Sequence, residues 1–117
     1  MEVENFVQRL VTRLNIDENL YPNILISLTE AVNNAMQHGN QFDDRKEIVV
    51  ECHEKPHQIQ LTISDEGSGF DPFAVADPTS EDHLAMEGGR GVFLMKQLTD
   101  EIYFHNHGRT VELVWKI

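Results

Sequence analysis

The feature that most constrains the fold of this chain is a change in hydrophobic period near residue 45. Before it, apolar residues recur at the three- and four-residue spacing of helices. This spacing predicts one helix over residues 2–15 and a second from about Tyr21 to His38. Pro22 suits the first turn of the second helix, and Gly39 suits its C-terminal cap.

After the change, apolar and polar residues alternate, which is typical of strands with one buried face. The pattern predicts a hairpin that turns at residues 55–57, with its second strand over Gln58–Ser64. A segment rich in Gly and Pro over 65–90 precedes a third helix, and a second hairpin runs from Glu101 to the end. The predicted inward-facing residues of the third helix and the last strand are Val92, Leu94, Met95, Leu98, Val111, Leu113, Trp115 and Ile117.

This order of elements predicts an α+β fold. Strands that form hairpins pair in an antiparallel sheet, and amphipathic helices need a sheet face to cover. We therefore expect a two-layer α/β sandwich, a mainly antiparallel sheet covered on one face by helices. The whole chain, 1–117, is expected to form one domain, because this length is sufficient to bury one core.

The composition argues against several kinds of partner. The net charge is -11 and only 9 residues are Lys or Arg, which disfavours nucleic acid and an anionic membrane surface. The single cysteine, Cys52, alternates with apolar residues and is predicted to be a buried structural thiol. No apolar run approaches the roughly 18 residues of a membrane span, and the N-terminus has no signal pattern. A cytoplasmic protein is expected.

The first segment that could carry chemistry is the end of the second helix. Glu30, Asn34 and His38 repeat at a spacing of four, so a regular helix would align them as one polar stripe. A solvated face usually carries Lys and Glu pairs. An acid, an amide and an imidazole are instead groups that accept protons or bind metal ions and phosphates. The stripe therefore predicts a functional site.

The second segment is Asp65–Pro72, directly after a predicted strand. Gly67 and Gly69 would let a ligand approach the main chain closely, and the carboxylate of Asp65 could accept a hydrogen bond from the exocyclic amine of adenine. A simple glycine turn is the alternative. A dinucleotide-binding fingerprint does not fit, because its last glycine is missing and Pro72 follows.

The third segment is Glu87–Leu98. Its glycines at 88, 89 and 91 are predicted to precede a helix, so free main-chain N–H groups and the positive helix end could face an anion. Arg90 and Lys96 could add positive charge. A flexible loop is the alternative, and a P-loop is excluded because no Gly-Lys-Ser or Gly-Lys-Thr follows.

In this order the three segments resemble the N, G1 and G2 boxes of the Bergerat-fold ATPases, the superfamily of gyrase, histidine kinases and MutL. Asn-Ala-x-x-His-Gly after Glu30 and the ending Gly-x-Gly-x-Phe-Leu-Met are most similar to the anti-sigma-factor serine kinases of bacterial partner switching. The resemblance covers roughly residues 21–117. A histidine kinase core fits less well, because no helix offers a phosphoacceptor His in a dimerisation hairpin.

The resemblance implies a role for each matching position. Glu30 would be the catalytic base and Asn34 the side-chain ligand of Mg²⁺, while His38 is expected to be structural. Asp65 would bind adenine in a pocket shaped by Gly67 and Gly69. The remaining implied ATP-binding residues are Gly89, Arg90 and Gly91, in a lid over about 71–90.

The implied function is that of an ATP-dependent serine/threonine protein kinase that acts as an anti-sigma factor. Its partners would be a sigma factor and an anti-sigma-factor antagonist, which it phosphorylates, and relatives commonly form homodimers. Two alternatives stay open. One is a nucleotide-binding signalling module whose partner binding depends on ATP or ADP without phosphate transfer, and the other is a domain of a larger signalling protein.

The chain departs from the family pattern in two places. Relatives usually have a strand before the first helix, so the sheet is expected to be one strand shorter here. Glu87 stands where the best-known relatives have an Arg two positions before the first glycine of Gly-x-Gly. This difference concerns the lid and partner recognition, and the nucleotide pocket is expected to be unaffected.

Overall fold

The computed structural model describes residues 2–67 and 87–117. Within these ranges two helices precede a first pair of strands, and a third helix precedes a second pair. In chain order the elements are α1 Glu2–Leu14, a 3₁₀ turn Glu18–Leu20, α2 Tyr21–Asn34, a π turn Ala35–Gly39, β1 Val49–Lys55, β2 Gln58–Ser64, α3 Glu87–Leu98, β3 Glu101–His105 and β4 Thr110–Lys116.

The strands of the described residues form one sheet in the order β1-β2-β4-β3, and every neighbouring pair is antiparallel. β4 therefore lies between β2 and β3, so the second hairpin adds its last strand to the first hairpin. In β2, buried residues alternate with half-buried ones, because the helices cover one face of the sheet. The predicted α+β antiparallel sandwich is confirmed.

The core lies between the helices and this covered face. Leu61 pairs with Leu113 across β2 and β4, and Ile59 pairs with Trp115, so large side chains stand opposite each other. The residues of this core are Val7, Leu10, Ile16, Ile24, Leu28, Ala31, Ala35, Ile59, Leu61, Ile63, Val92, Met95, Val111, Leu113 and Trp115.

Two predictions about single side chains are wrong. Ile117 is 47% exposed because it follows the last paired residue of β4. Cys52 is half-buried on the edge strand β1 rather than fully buried. Burial nevertheless raises the pKa of its thiol, with a smaller contribution from Glu54, and this disfavours the reactive thiolate.

The predicted end of the second helix is also wrong. Regular α-helix stops at Asn34, and a π turn follows in which the N–H of Asn40 donates to the carbonyl of Ala35 at 2.7 Å. His38 therefore does not continue the regular helix that carries Glu30. Gly39 does not have the left-handed conformation of a cap, which appears later, at Gln41 with φ 52°.

The third helix begins earlier than predicted. Gly88, Gly89 and Gly91 lie inside α3 rather than before it, because the helix starts at Glu87. Its other end is fixed to the sheet. The indole N–H of Trp115 donates to the carbonyl of Leu98 at 2.8 Å. This bond ties the C-terminal end of α3 to β4.

Candidate functional site

Glu30 and Asn34 lie one turn apart on α2, on the side that faces α3. A Cβ atom on Gly91 of α3 would lie 3.0 Å from Oε2 of Glu30 and 3.0 Å from Nδ2 of Asn34. Glycine thus lets the main chain of α3 contact both polar side chains. Neither side chain forms a hydrogen bond within residues 2–67 and 87–117. The carboxylate oxygens of Glu30 and the amide oxygen of Asn34 can therefore accept a hydrogen bond from a ligand or coordinate a metal ion.

Asp65 follows the last residue of β2 and is held through its main chain. Its N–H donates to the carbonyl of Arg109 at 2.9 Å. Its own Oδ1 accepts the N–H of Gly67 at 2.8 Å. Burial raises the pKa of the carboxyl above its ordinary value of 3.8, and the opposing effects of the Gly67 N–H and the charges of Arg109 and Lys46 are smaller. A carboxylate of this kind is strongly disposed to accept a hydrogen bond from a ligand.

Two glycines allow the Asp65 turn to contact the π turn. A Cβ on Gly39 would lie 2.5 Å from Oδ2 and 2.6 Å from Oδ1 of Asp65. A Cβ on Gly67 would lie 2.7 Å from the Cα of Gly39 and closer still to its carbonyl group. Gly39 is therefore required for close approach, which is a different reason from the predicted helix cap.

A recess between α2, α3 and the sheet brings Asn34 and Asp65 together. Its walls are mostly apolar, which suits a planar heterocycle between a few placed polar groups. Its volume is ≈ 30 Å³, which is much smaller than a nucleotide base. The residues that line it are Ala31, Asn34, Ala35, Gly39, Ile63, Asp65, Met95, Phe104, Gly108, Arg109 and Val111.

The sequence model of the histidine kinase-like ATPase domain matches residues 1–115 of this chain. The chain belongs to this family. The match confirms the resemblance drawn from the three ordered motifs and the fold class that it implies. An ATPase domain of this type uses ATP. The recess is lined by Asn34 from the first segment, Asp65 from the second and Met95 from the third.

Within the family, this chain is similar to serine-protein kinases and to an anti-sigma factor. The serine-protein kinase RsbW of Bacillus subtilis (strain 168) is 27% identical over 111 residues, which span 89% of this chain and 69% of that protein. RsbW of Listeria innocua is 24% identical over 112 residues, or 87% of this chain and 69% of that protein. An anti-sigma F factor of Anoxybacillus flavithermus is 30% identical over 97 residues, or 74% of this chain and 63% of that protein.

The structure describes most of the predicted ATP-binding residues, and they lie in different surroundings. Gly67 is buried against Gly39, whereas Gly69 lies outside the described residues. Gly89 is in the first turn of α3, whose N–H groups have no acceptor inside the helix, and Arg90 follows it with an exposed side chain. The N–H of Gly91 points to the carbonyl four residues earlier, so this glycine contributes space.

The predicted lid over about 71–90 lies almost entirely outside the described residues. Two open grooves along α1, of ≈ 690 and ≈ 460 Å³, contain none of the predicted site residues. Among the helices that the structure describes, none combines the length and the apolar character needed to cross a bilayer.

Sequence reasoning missed the contribution of Gly39 and Asn40 to the site. Asn40 is 3% exposed although it follows a helix and precedes a polar segment. An Asn after a Gly in one sequence usually indicates a solvated turn. The only available signal was their position directly after the polar stripe.

Proposed function

We propose that this chain is an ATP-dependent serine/threonine protein kinase that acts as an anti-sigma factor and phosphorylates an anti-sigma-factor antagonist. The names of its relatives support both the kinase activity and the anti-sigma role. The single observation that carries the proposal is the position of Glu30 and Asn34. Oε2 of Glu30 and Nδ2 of Asn34 both approach Gly91, and Asn34 also borders the recess of Asp65.

The residues present fit an adenine nucleotide. Asp65 would accept a hydrogen bond from the exocyclic amine of adenine, and the apolar walls around Ile63 and Met95 would pack against the faces of the base. Bound Mg·ATP supplies the phosphoryl group and the cation that offsets its charge. Asn34 offers one amide oxygen to that cation, which suits Mg²⁺ because it keeps most of its ligands as waters and phosphates.

Glu30 supplies the proton chemistry in this proposal. Its carboxylate would accept the proton of the partner's serine or threonine hydroxyl as that oxygen bonds to the γ-phosphorus, while the bond from this phosphorus to the β-phosphate oxygen breaks and ADP leaves. The main-chain N–H groups at the start of α3, including that of Gly89, would stabilise the negative charge that develops on the phosphate, and Arg90 would add positive charge. Gly91 leaves room for the Glu30 side chain to keep its position.

The proposal extends to domain, partners and compartment. We infer that residues 1–117 form a single ATP-binding kinase-like domain, and one continuous core in the described residues supports this. A sigma factor and its antagonist are the expected protein partners, and these proteins and ATP share the cytoplasm. A homodimer stays a prediction.

Thermal unfolding with different nucleotides tests the pocket. At a free Mg·ATP concentration of about 100 times the dissociation constant, the stabilisation should be about 2.7 kcal/mol. Mg·GTP at the same concentration should stabilise less, because its carbonyl meets the carboxylate of Asp65. No shift with either nucleotide would contradict every nucleotide-binding interpretation, and equal shifts with both would contradict the recognition of adenine by Asp65.

Phosphate transfer is tested separately. The protein is incubated with γ-labelled ATP and candidate antagonist proteins, and label on the antagonist is measured. Label on a serine or threonine supports the kinase. If ATP and partner bind normally and no label appears, the chain is a nucleotide-dependent binding module. If transfer needs added flanking sequence, the chain works as a domain of a larger signalling protein.

A further inference from the structure

We infer that Asn40 is a positioning residue that orients the adenine-recognising carboxylate of Asp65. This inference rests on the proposed nucleotide site and adds to it a residue that does not itself contact the nucleotide. Asn40 lies at the end of the π turn and is 3% exposed. A buried amide has to satisfy both its donor and its acceptor within the protein.

Both halves of the Asn40 amide are used. Its Oδ1 accepts the N–H of Glu66 at 2.8 Å, and its Nδ2 donates to the carbonyl of Glu47 at 3.1 Å. Glu47 in turn donates its N–H to Oε2 of Glu66 at 2.5 Å. The three residues form a closed ring of hydrogen bonds. This ring joins the end of the π turn, the segment before β1 and the turn after β2.

The ring acts on Asp65 because of where Glu66 stands. Three consecutive main-chain N–H groups have defined acceptors: Asp65 donates to Arg109, Glu66 to Asn40 and Gly67 to the side chain of Asp65. Arg109 only holds the strand end, and the Gly67 bond lies within the turn. The Glu66 bond is the one that sets the Asp65–Glu66 peptide against α2.

The preceding residue contacts the carboxylate itself. Gly39 lies so close to Asp65 that a Cβ there would come within 2.6 Å of Oδ1. Gly39 therefore limits where the carboxylate can lie, while Asn40 limits how its peptide is turned. The adjacent pair controls both the position and the direction of the group that reads adenine.

Asparagine supplies both the acceptor and the donor that this position uses. Alanine removes both hydrogen bonds and leaves the Glu66 N–H and the Glu47 carbonyl without these partners. Aspartate keeps an acceptor for Glu66 and loses the donor to Glu47. Glutamine adds a methylene to a buried site.

The test compares ADP with IDP, which carries a carbonyl in place of the exocyclic amine. Dissociation constants are measured by calorimetry for the wild type, Asn40→Ala, Asn40→Asp and Asp65→Asn, at a temperature where each variant is folded by circular dichroism. Asn5→Ala and Asn5→Asp are matched controls, since Asn5 is exposed on α1. The readout is the ratio of the two constants, which general destabilisation of the fold does not change.

We expect the wild type to prefer ADP by about tenfold or more, the effect of one hydrogen bond to a charged group. Asn40→Ala should lose most of this preference and approach Asp65→Asn. Asn40→Asp should stay nearer to the wild type because it keeps the acceptor for Glu66. Both Asn5 variants should match the wild type.

Each other outcome contradicts a defined statement. If Asn40→Ala keeps the wild-type ratio, or weakens ADP and IDP equally, Asn40 is only structural and the inference is wrong. If Asn40→Asp loses the ratio as completely as Asn40→Ala, the Glu66 bond is not what positions the carboxylate. If the wild type itself shows no preference, the proposed adenine site fails, and this inference fails with it.

Discussion

The two ends of the candidate site place a carboxylate against glycine in different ways. At the Asp65 end a Cβ on Gly39 would lie 2.5 Å from the carboxylate, whereas at the Glu30 end a Cβ on Gly91 would lie 3.0 Å away. Asp65 is part of a turn whose N–H groups all have acceptors. The side chains of Glu30 and Asn34 have no hydrogen bonds within residues 2–67 and 87–117.

This difference matches two kinds of task. A group that discriminates between bases must be fixed before the ligand arrives, because each degree of freedom lost on binding reduces affinity and selectivity. Groups that take a proton or coordinate a metal ion must instead keep their oxygens available. The recognition end is therefore packed tightly and the reactive end loosely. Four substitutions test whether the ends are separable in this way.

The largest expected effect is that of Glu30→Gln on phosphate transfer. Removal of the general base should lower the rate by about 10²–10⁴-fold, while ADP affinity stays at the wild-type value because Asp65 is untouched. Single-turnover transfer of labelled phosphate and ADP calorimetry measure the two quantities. Glu4→Gln, on the exposed side of α1, is the matched control. Loss of ADP binding in Glu30→Gln would show that the ends are not independent.

Gly67→Ala should give the largest loss of stability. The added methyl group overlaps the main chain of Gly39, which cannot move without breaking the contact with Asp65. Overpacking of this kind costs about 3 kcal/mol. Urea unfolding measures it, and ADP affinity should fall in parallel. A variant as stable as the wild type would mean that the tight packing at this end does not exist.

Asp65→Asn should separate binding from stability in a pH-dependent way. The pKa of the Asp65 carboxyl is raised by burial, so the folded state holds its proton more tightly than the unfolded state. The contribution of Asp65 to the free energy of unfolding therefore decreases as the pH rises from the ordinary value of 3.8 through the raised one. The asparagine variant should lack this decrease and bind ADP weakly.

The measurement for Asp65 is the difference in unfolding free energy between wild type and Asp65→Asn across acidic to neutral pH. This difference cancels the titration of the other carboxyl groups. It should favour the wild type most at low pH and become constant above the raised pKa. A difference with the opposite slope would show that the folded state favours the ionised carboxylate.

Gly91→Ala should have the smallest effect on stability, within about 1 kcal/mol. Alanine is more favourable than glycine in the interior of a helix by about that amount. The atoms that the added methyl group would crowd are the ends of the Glu30 and Asn34 side chains, which can move. Their displacement should still slow phosphate transfer, by about tenfold. The comparison with Gly67→Ala under the same urea conditions is the direct test. Equal losses of stability in the two variants would contradict the proposed difference between the ends.

Much of the fold could be predicted because its signals are local. The strand Gln58–Ser64 was predicted with the bounds that the structure gives it, since a period of two depends only on neighbouring residues. The end of α2 and the start of α3 were not, because both depend on packing. The π turn and the glycines of α3 are placed by contacts with Asp65 and Glu30, which are distant in sequence.

The candidate site shows the same limit. Glu30, Asn34 and Asp65 could be named because their residue types are unusual for their local patterns. Asn40 could not, since its burial depends on Glu66, which lies 26 residues later in the chain. A short polar side chain next to glycine has the same appearance in sequence whether it faces solvent or closes a ring of hydrogen bonds.

The π turn at Ala35–Gly39 changes the direction in which the residues after α2 point around the helix axis. A π turn is equivalent to one residue inserted into an α-helix, and each residue of an α-helix advances by about 100°. Regular α-helix over the same residues would turn Gly39 and Asn40 further round the helix axis and away from Asp65, while Glu30 and Asn34 kept their direction. The number of residues between the reactive and the recognition ends is therefore itself a determinant of the site, independent of their chemical identity.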